Sequence, residues 1–181
     1  LMFRGTREIP NFDLPVQMAC GDNNAFTNND YTDFYITLPK DNIETALWLE
    51  SDRMEGLDIT PEKLEAEKRV VIEEFRQRYL NQPYGDQTML LRALAYKVHP
   101  YRWAAIGLAT DHIAGATLDD VQAFYRTHYH PSNAILSISA DFDEERMLDL
   151  AEKWFAPLAD RTVASQPIPR EPDQEAPRRE E

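Results

Sequence analysis

Apolar and polar positions alternate in two ways along the chain, and the change of period separates strands from helices. Near the start, Val16 to Cys20 alternates weakly and is followed by turn chemistry at Gly21-Asp22-Asn23. Asn24 to Thr27 and Tyr31 to Leu38 are β-prone runs flanking a polar Asn28-Asn29-Asp30 turn, and the second run stops at Pro39. A short Asx-rich turn between two such runs predicts an antiparallel pair. The period then lengthens. Asp41 is placed to cap a helix through about Met54, with Ile43, Leu47 and Met54 on one side and Gly56 as a stop. Thr60-Pro61 reads as an N-cap with proline at the first helical position, where the missing N–H costs nothing. That helix should run to about Leu80, ahead of Asn81-Gln82-Pro83.

Asp86 to Val98 predicts a third helix on Met89, Leu90, Ala93, Leu94 and Lys97. Thr117-Leu118-Asp119-Asp120 resembles a capping box for a fourth, ending near Tyr129 before Pro131. Ala134 to Ala140 alternates Ile with Ser and predicts a strand, after which Asp143 caps a last helix to about Phe155. No repeat recurs at a solenoid period. The order of elements predicts an α+β fold with a mostly antiparallel sheet packed with several helices.

Composition narrows the function classes. The 181 residues are enough for one sizeable core, and a mean hydropathy of -0.57 with 10% aromatic residues fits a globular chain. No run approaches the roughly 18 apolar residues of a membrane span. Thirty-two acidic against nineteen basic residues give a net charge of -13. Such a chain repels phosphate backbones and anionic lipid, which argues against nucleic acid or a membrane surface as partner. Cys20 has no second cysteine to pair with, and a zinc finger or ribbon is excluded. The six glycines are dispersed, so no phosphate-binding loop is present. Leu1-Met2-Phe3-Arg4-Gly5-Thr6 reads as the last turn of a helix with its glycine stop. Ser165 to Glu181, rich in Pro, Arg and Glu, reads as a linker or tail. Both ends therefore look cut from a larger protein.

The most suggestive chemistry lies on the helix that opens at Pro61. Glu67 and Glu74 are about two turns apart and project from one face, with Val71 between them. A face mixing valine with two carboxylates should be half-buried, and buried carboxylates want a cation. Zinc accepts such a ligand, and catalytic zinc sites take three protein ligands. Spacing alone favours a plainer account, since the Glu, Lys and Arg residues between Glu62 and Arg78 also make an ordinary salt-bridged surface. The histidines do not complete a site. His128 and His130 sit near a predicted helix C-terminus, where the dipole favours a cation, and His99 and His112 fall in turns or loops.

Taken in order, these segments resemble the pitrilysin or insulinase-type zinc metallopeptidases, the inverted-zincin family. Leu1 to Thr6 is similar to the stretch just after that family's His-x-x-Glu-His helix. Gly21 to Thr32 resembles its Gly-x-x-Asn-Ala-x-Thr strand pair, and Glu67-Lys68-Arg69-Val70-Val71-Ile72-Glu73-Glu74 its distal Glu-x-x-x-Val-x-x-Glu element. His99-Pro100-Tyr101-Arg102, with Ile106-Gly107, and Tyr129 to Ala134 resemble further stretches common in bacterial members.

The resemblance implies a metallopeptidase half-domain over residues 1–160 and a linker at 161–181 towards a second domain. It implies that Glu74 is a zinc ligand, that Glu67 supports catalysis, and that Asn24 and Ala25 lie on a strand that pairs with an extended peptide substrate. Glu73 is adjacent to Glu74 but a 100° rotation takes it off the Glu67 face. The His-x-x-Glu-His itself, with two zinc ligands and the general-base glutamate, is absent from these 181 residues, so the chain by itself is expected to be inactive. Ser139-Ala140-Asp141 also replaces a usual Gly-Asp turn. Expected partners are a peptide substrate and a second, homologous domain or subunit closing a chamber. Two other readings remain open, a non-catalytic paralogue serving as partner subunit and a peptide-binding module without chemistry. The compartment is undetermined, with the periplasm suggested by the bacterial resemblance.

Overall fold

A computed structural model describes residues 1–159 and 167–179. In chain order the described elements are α1 (Asp13–Met18), β1 (Asp22–Thr27), β2 (Thr32–Thr37), α2 (Ile43–Gly56), α3 (Pro61–Phe75), α4 (Gln87–Ala95), α5 (Thr110–Gly115), α6 (Leu118–His128) and α7 (Glu144–Phe155). Single 3-10 turns precede α2 and follow α4 and α6, and a π-helical turn, Arg76–Leu80, continues α3. The α+β class is thus as expected. The chain divides into two compact units, the first made of Leu1–Phe26, Thr32–Leu64 and Thr117–Val163, the second of Thr27–Tyr31, Glu65–Ala116 and Ala164–Glu181.

The first unit is built on Ile9, Phe12, Val16 and Leu49, with Phe3, Ile36 and Trp48 packed against them. Val16 lies in a helix, not in the strand expected over Val16 to Cys20. Asn11 Oδ1 accepts the N–H of Asp13 and of Leu14 at 3.1 Å. That capping starts a helical turn and brings Phe12 and Val16 to one side. Cys20, at φ 58, then reverses the chain. Gly21 follows because a Cβ there would lie 2.8 Å from the Thr37 carbonyl oxygen.

Arg53 is the unusual member of this core. It is 2% exposed, and its guanidinium carbon lies 4.4 Å from the ring centroids of both Phe12 and Phe34 and 5.5 Å from that of Phe3. Nη2 donates to both carboxylate oxygens of Glu50 one turn earlier, whereas the buried Nη1 has no hydrogen-bond partner. Rings and carboxylate together replace the water that the cation has lost. Burial pushes the Glu50 carboxyl above its ordinary value, against the pull of the guanidinium. From α6, the Tyr125 hydroxyl lies 2.7 Å from the carbonyl oxygens of Arg53 and Met54, so its proton serves acceptors that the end of α2 leaves open. α7 packs on α2, and Glu44 accepts from Lys153 Nζ at 2.5 Å and from Trp154 Nε1 at 3.2 Å.

The predicted caps at Thr117 and Asp143 are present, the first as a reciprocal capping box with Asp120 and the second accepting the Arg146 N–H at 2.9 Å. Asp41 instead falls in the 3-10 turn ahead of α2. The strand expected at Ala134 to Ala140 is not formed. No backbone hydrogen bond holds Ile135 to Phe142 among the described residues, Ile135 is 97% exposed, and the only sheet described is the β1–β2 pair. Alternation supplies the propensity for a strand but not the neighbour that a ladder requires.

In the second unit α3 runs on into its π turn, where Phe75 is buried and its ring lies tilted against that of Tyr79, centroids 5.3 Å apart. The Asp86 to Val98 helix is shorter than expected, ending at Ala95. The reason lies in the tail. The expected linker begins at 161, and residues 160–166 are outside the described residues. Pro167 to Arg179 carry no regular element and are clipped to the end of α4 by two side chains. The Glu171 carboxylate accepts the N–H groups of Lys97 at 2.7 Å and of Val98 and His99 at 2.8 Å. Arg178 Nη1 donates to the carbonyl oxygens of Leu94 at 2.7 Å and Ala95 at 2.9 Å. A carboxylate thus meets three peptide donors and a cation meets the helix's open acceptors.

Two outcomes follow from these contacts. Glu50→Gln leaves the Arg53 charge buried without a counter-ion and should cost about 2–3 kcal/mol in urea unfolding. That is less than the roughly 3–5 kcal/mol of a fully buried pair because a quarter of the Glu50 side chain meets water. Replacing both residues with Met should cost less than the single change. The three amide donors, led by that of His99, lower Glu171 from 4.5 to about 2. A depressed carboxyl stabilises above its unfolded value, so the clip should hold above about pH 5 and be lost as pH falls through about 2. Amide shifts of Lys97 to His99 in a pH titration should move with a midpoint near 2, and a midpoint near 4.5 would contradict the contact.

Candidate functional site

α3 places its carboxylates as the spacing requires. Thr60 Oγ1 accepts the Lys63 N–H at 3.3 Å, setting the register of the first turn. Glu67, Val71 and Glu74 are all half-buried, whereas Val70 and Glu73 are exposed. Glu74 Oε1 pairs with Arg78 Nη2 at 2.8 Å and the Glu74 side chain is 41% exposed, while Glu73 pairs more loosely with Arg76 at 3.5 Å. The face is thus neither bare solvent surface nor core. It presents a carboxylate two turns beyond a second one, the further of them paired with Arg78.

That arrangement contributes one good metal donor but not a metal site. No group of three His, Cys, Asp or Glu residues among the described residues could hold an ion. Two of the four histidines make local hydrogen bonds. His130 is buried, its Nε2 donating to the Thr127 carbonyl at 3.1 Å and its Nδ1 accepting from the Ser132 hydroxyl at 2.9 Å. His99 Nδ1 accepts the Tyr101 N–H at 3.2 Å. A zinc ion needs about three protein ligands, and Glu74 is a fitting donor for one of those positions only.

The strand pair carries the other predicted residues. Asn28 N–H donates to the Tyr31 carbonyl at 3.0 Å, which closes the hairpin over Asn29-Asp30 and sets Thr27 opposite Thr32 and Asp22 opposite Thr37. In an antiparallel ladder hydrogen-bonded pairs alternate. Asp22, Asn24 and Phe26 therefore bond towards β2, and the N–H and C=O of Asn23 and Ala25 point to the open edge. Phe34 and Ile36 turn into the first unit while Phe26 and Tyr35 are exposed. The open Ala25 N–H donates to its neighbour's side chain, Asn24 Oδ1, at 2.8 Å. Asn24 thus occupies the position that an added strand's carbonyl would take.

Residues 1–104 match the family model described as Insulinase (Peptidase family M16), and residues 115–181 match the model of the Peptidase M16 inactive domain. The chain belongs to the insulinase family, peptidase family M16. It is 32% identical to the zinc protease PqqE of Helicobacter pylori over 98% of its own length and 41% of that protein. A crystal structure of a protease from Helicobacter pylori superimposes with a TM-score of 0.89 at 31% identity, covering 94% of this chain and 42% of that one. The first half of the periplasmic protease PqqL from Escherichia coli, at 22% identity and a TM-score of 0.78, shares the fold over 93% of this chain and 38% of that one. The chain spans about two fifths of the length of these M16 relatives.

Sequence reasoning did not find Arg78 as the partner of Glu74, although its position four residues on carries that signal. It also left the His99–Arg102 turn without a role. Asn24→Ala should free the open amide of Ala25. Its hydrogen exchange should quicken by about 2- to 10-fold, the size of one net hydrogen bond, with the amides of Asn24 and Phe26 unmoved. Unchanged exchange at Ala25 would contradict the cap.

Proposed function

We propose that this chain is the N-terminal catalytic-type domain of a zinc metalloendopeptidase, which hydrolyses peptides or unfolded polypeptides held as an added strand along β1. The observation that carries the reading is the half-buried Glu67-Val71-Glu74 face of α3 in a chain of the M16 family. Glu74 supplies one carboxylate to the metal, and Arg78 holds that carboxylate in place until the ion takes it. Glu67, two turns away on the same face, supports the site without being a main ligand.

Asn23 and Ala25 present the backbone groups that take up the peptide, and strand addition satisfies an edge without any demand on side-chain sequence. Release of Asn24 Oδ1 from the Ala25 N–H accompanies that pairing. The remaining ligands and the general base are assigned to a His-x-x-Glu-His helix in the longer protein, so the 181-residue chain alone is inactive. A second homologous domain or subunit closes the chamber. With a net charge of -13, a chamber lined by these acids favours basic peptides. The fold shared with periplasmic PqqL supports export to the periplasm.

A second reading, a non-catalytic partner subunit that binds peptide, draws on the inactive-domain match of residues 115–181. Retention of Glu67 and Glu74 on one face weighs against it, since a subunit without chemistry has no need of the pair.

The test is Glu74→Gln in the full-length protein. Zinc content and peptide cleavage should both fall by more than about 100-fold, beyond the roughly 10–100-fold that loss of an outer-shell partner costs. Cleavage that survives at the unsubstituted rate would remove Glu74 from the metal and favour the second reading.

A further inference from the structure

The tail and the hairpin tip meet on one short turn within the second unit. His99-Pro100-Tyr101-Arg102 forms a 3-10 turn packed against α4. On one side Glu171 accepts the amides of Lys97, Val98 and His99, and Arg102 Nη1 donates to the Lys97 carbonyl at 3.0 Å. On the other side Tyr101 donates its hydroxyl to Asp30 Oδ1 at 2.5 Å. Arg92 Nη1 reaches Asn29 Oδ1 at 2.9 Å and the Tyr101 carbonyl at 3.3 Å. The rings of Tyr96, His99 and Tyr101 pack edge-on or tilted around the turn, His99 and Tyr101 at 4.3 Å. The two residues held, Asn29 and Asp30, form the whole two-residue connection between β1 and β2. The bond to Asp30 raises the Tyr101 phenol above its ordinary value, so it remains a donor.

We propose that this turn is a clasp on the hairpin tip, in which Tyr101 and Arg92 are positioning residues for the peptide that β1 receives and Glu171 is the clip that keeps the turn in shape. The inference rests on the strand-addition reading above. A hairpin tip without such contacts frays, and a fraying β1 must be ordered before a peptide can pair with it. Ordering a strand beforehand removes that cost from binding. The clasp therefore acts on substrate affinity and leaves the bond-breaking step alone. It also links the chain's passage through Glu171 to the hairpin tip by a continuous path within the second unit: carboxylate, three amides, turn, phenol, tip.

The test compares the full-length protein with its Tyr101→Phe, Asn29→Ala and Glu171→Gln variants. Exchange of the Asn24 to Tyr31 amides is followed with and without a short basic quenched-fluorescent peptide, and cleavage of the same peptide gives KM and kcat. Tyr101→Phe should quicken tip and β1 exchange and raise KM about 3- to 10-fold with kcat unchanged, the size of one such hydrogen bond. Asn29→Ala should do the same from the Arg92 end. Glu171→Gln should first free the Lys97 to His99 amides and then raise KM in the same sense. If the peptide slows exchange at Ala25 in the unsubstituted protein but the variants leave KM unmoved, or lower kcat instead, the clasp is wrong and strand addition stands. If the peptide leaves Ala25 exchange unchanged, strand addition itself fails and the proposal falls with it.

Discussion

The first unit depends on keeping one cation dry. Arg53 has been taken out of water, and Phe3, Phe12 and Phe34 close over it while Glu50 answers its charge. Those three rings come from the opening turn, the start of α1 and the middle of β2. A single desolvated group on α2 is therefore covered from three segments, whose rings also touch one another. A buried charge is a poor source of net stability but a strict condition on geometry. Moving β2 by one residue would turn Phe34 to the outer face and leave the guanidinium uncovered. The register that points Ala25 outward is set by the same constraint that buries Arg53.

The second unit is held by a different rule, that peptide groups left open at helix ends and turns find partners. The end of α4 illustrates it. Arg178 takes the last carbonyls and Glu171 the next three amides. Both come from a stretch whose composition reads as a tail. Neither contact depends on apolar burial.

That difference explains what could be read from the sequence. Helix starts with a local chemical signature were legible: Thr60-Pro61, the Thr117–Asp120 box and Asp143 all act through hydrogen bonds within three residues. The hairpin was legible because its Asx turn is equally local. Apart from the Asp41 cap, which falls inside a 3-10 turn, what failed depended on distant partners. Val16 to Cys20 carries a weak alternation, but Phe12 and Val16 are recruited to a core with Leu49. Ala134 to Ala140 has the propensity of a strand and no neighbour among the described residues. Glu171 carries no sequence signal of its role, since its three donors lie more than seventy residues away. On α3, the half-buried Glu67-Val71-Glu74 face was legible from helical period alone. What the carboxylates are for was not, because a salt-bridged surface has the same spacing and no group of three His, Cys, Asp or Glu among the described residues completes a metal site.

The central claim is that Glu74 is one ligand of a zinc ion whose other protein ligands lie in the longer protein. X-ray absorption at the zinc edge of the zinc-loaded full-length protein tests it most directly. The account predicts a first shell of histidine nitrogens at about 2.0–2.1 Å with a carboxylate oxygen at about 2.0–2.2 Å, the carboxylate contribution vanishing in Glu74→Gln. A first shell that the substitution leaves unchanged, or a full-length protein that takes up no zinc, would contradict it.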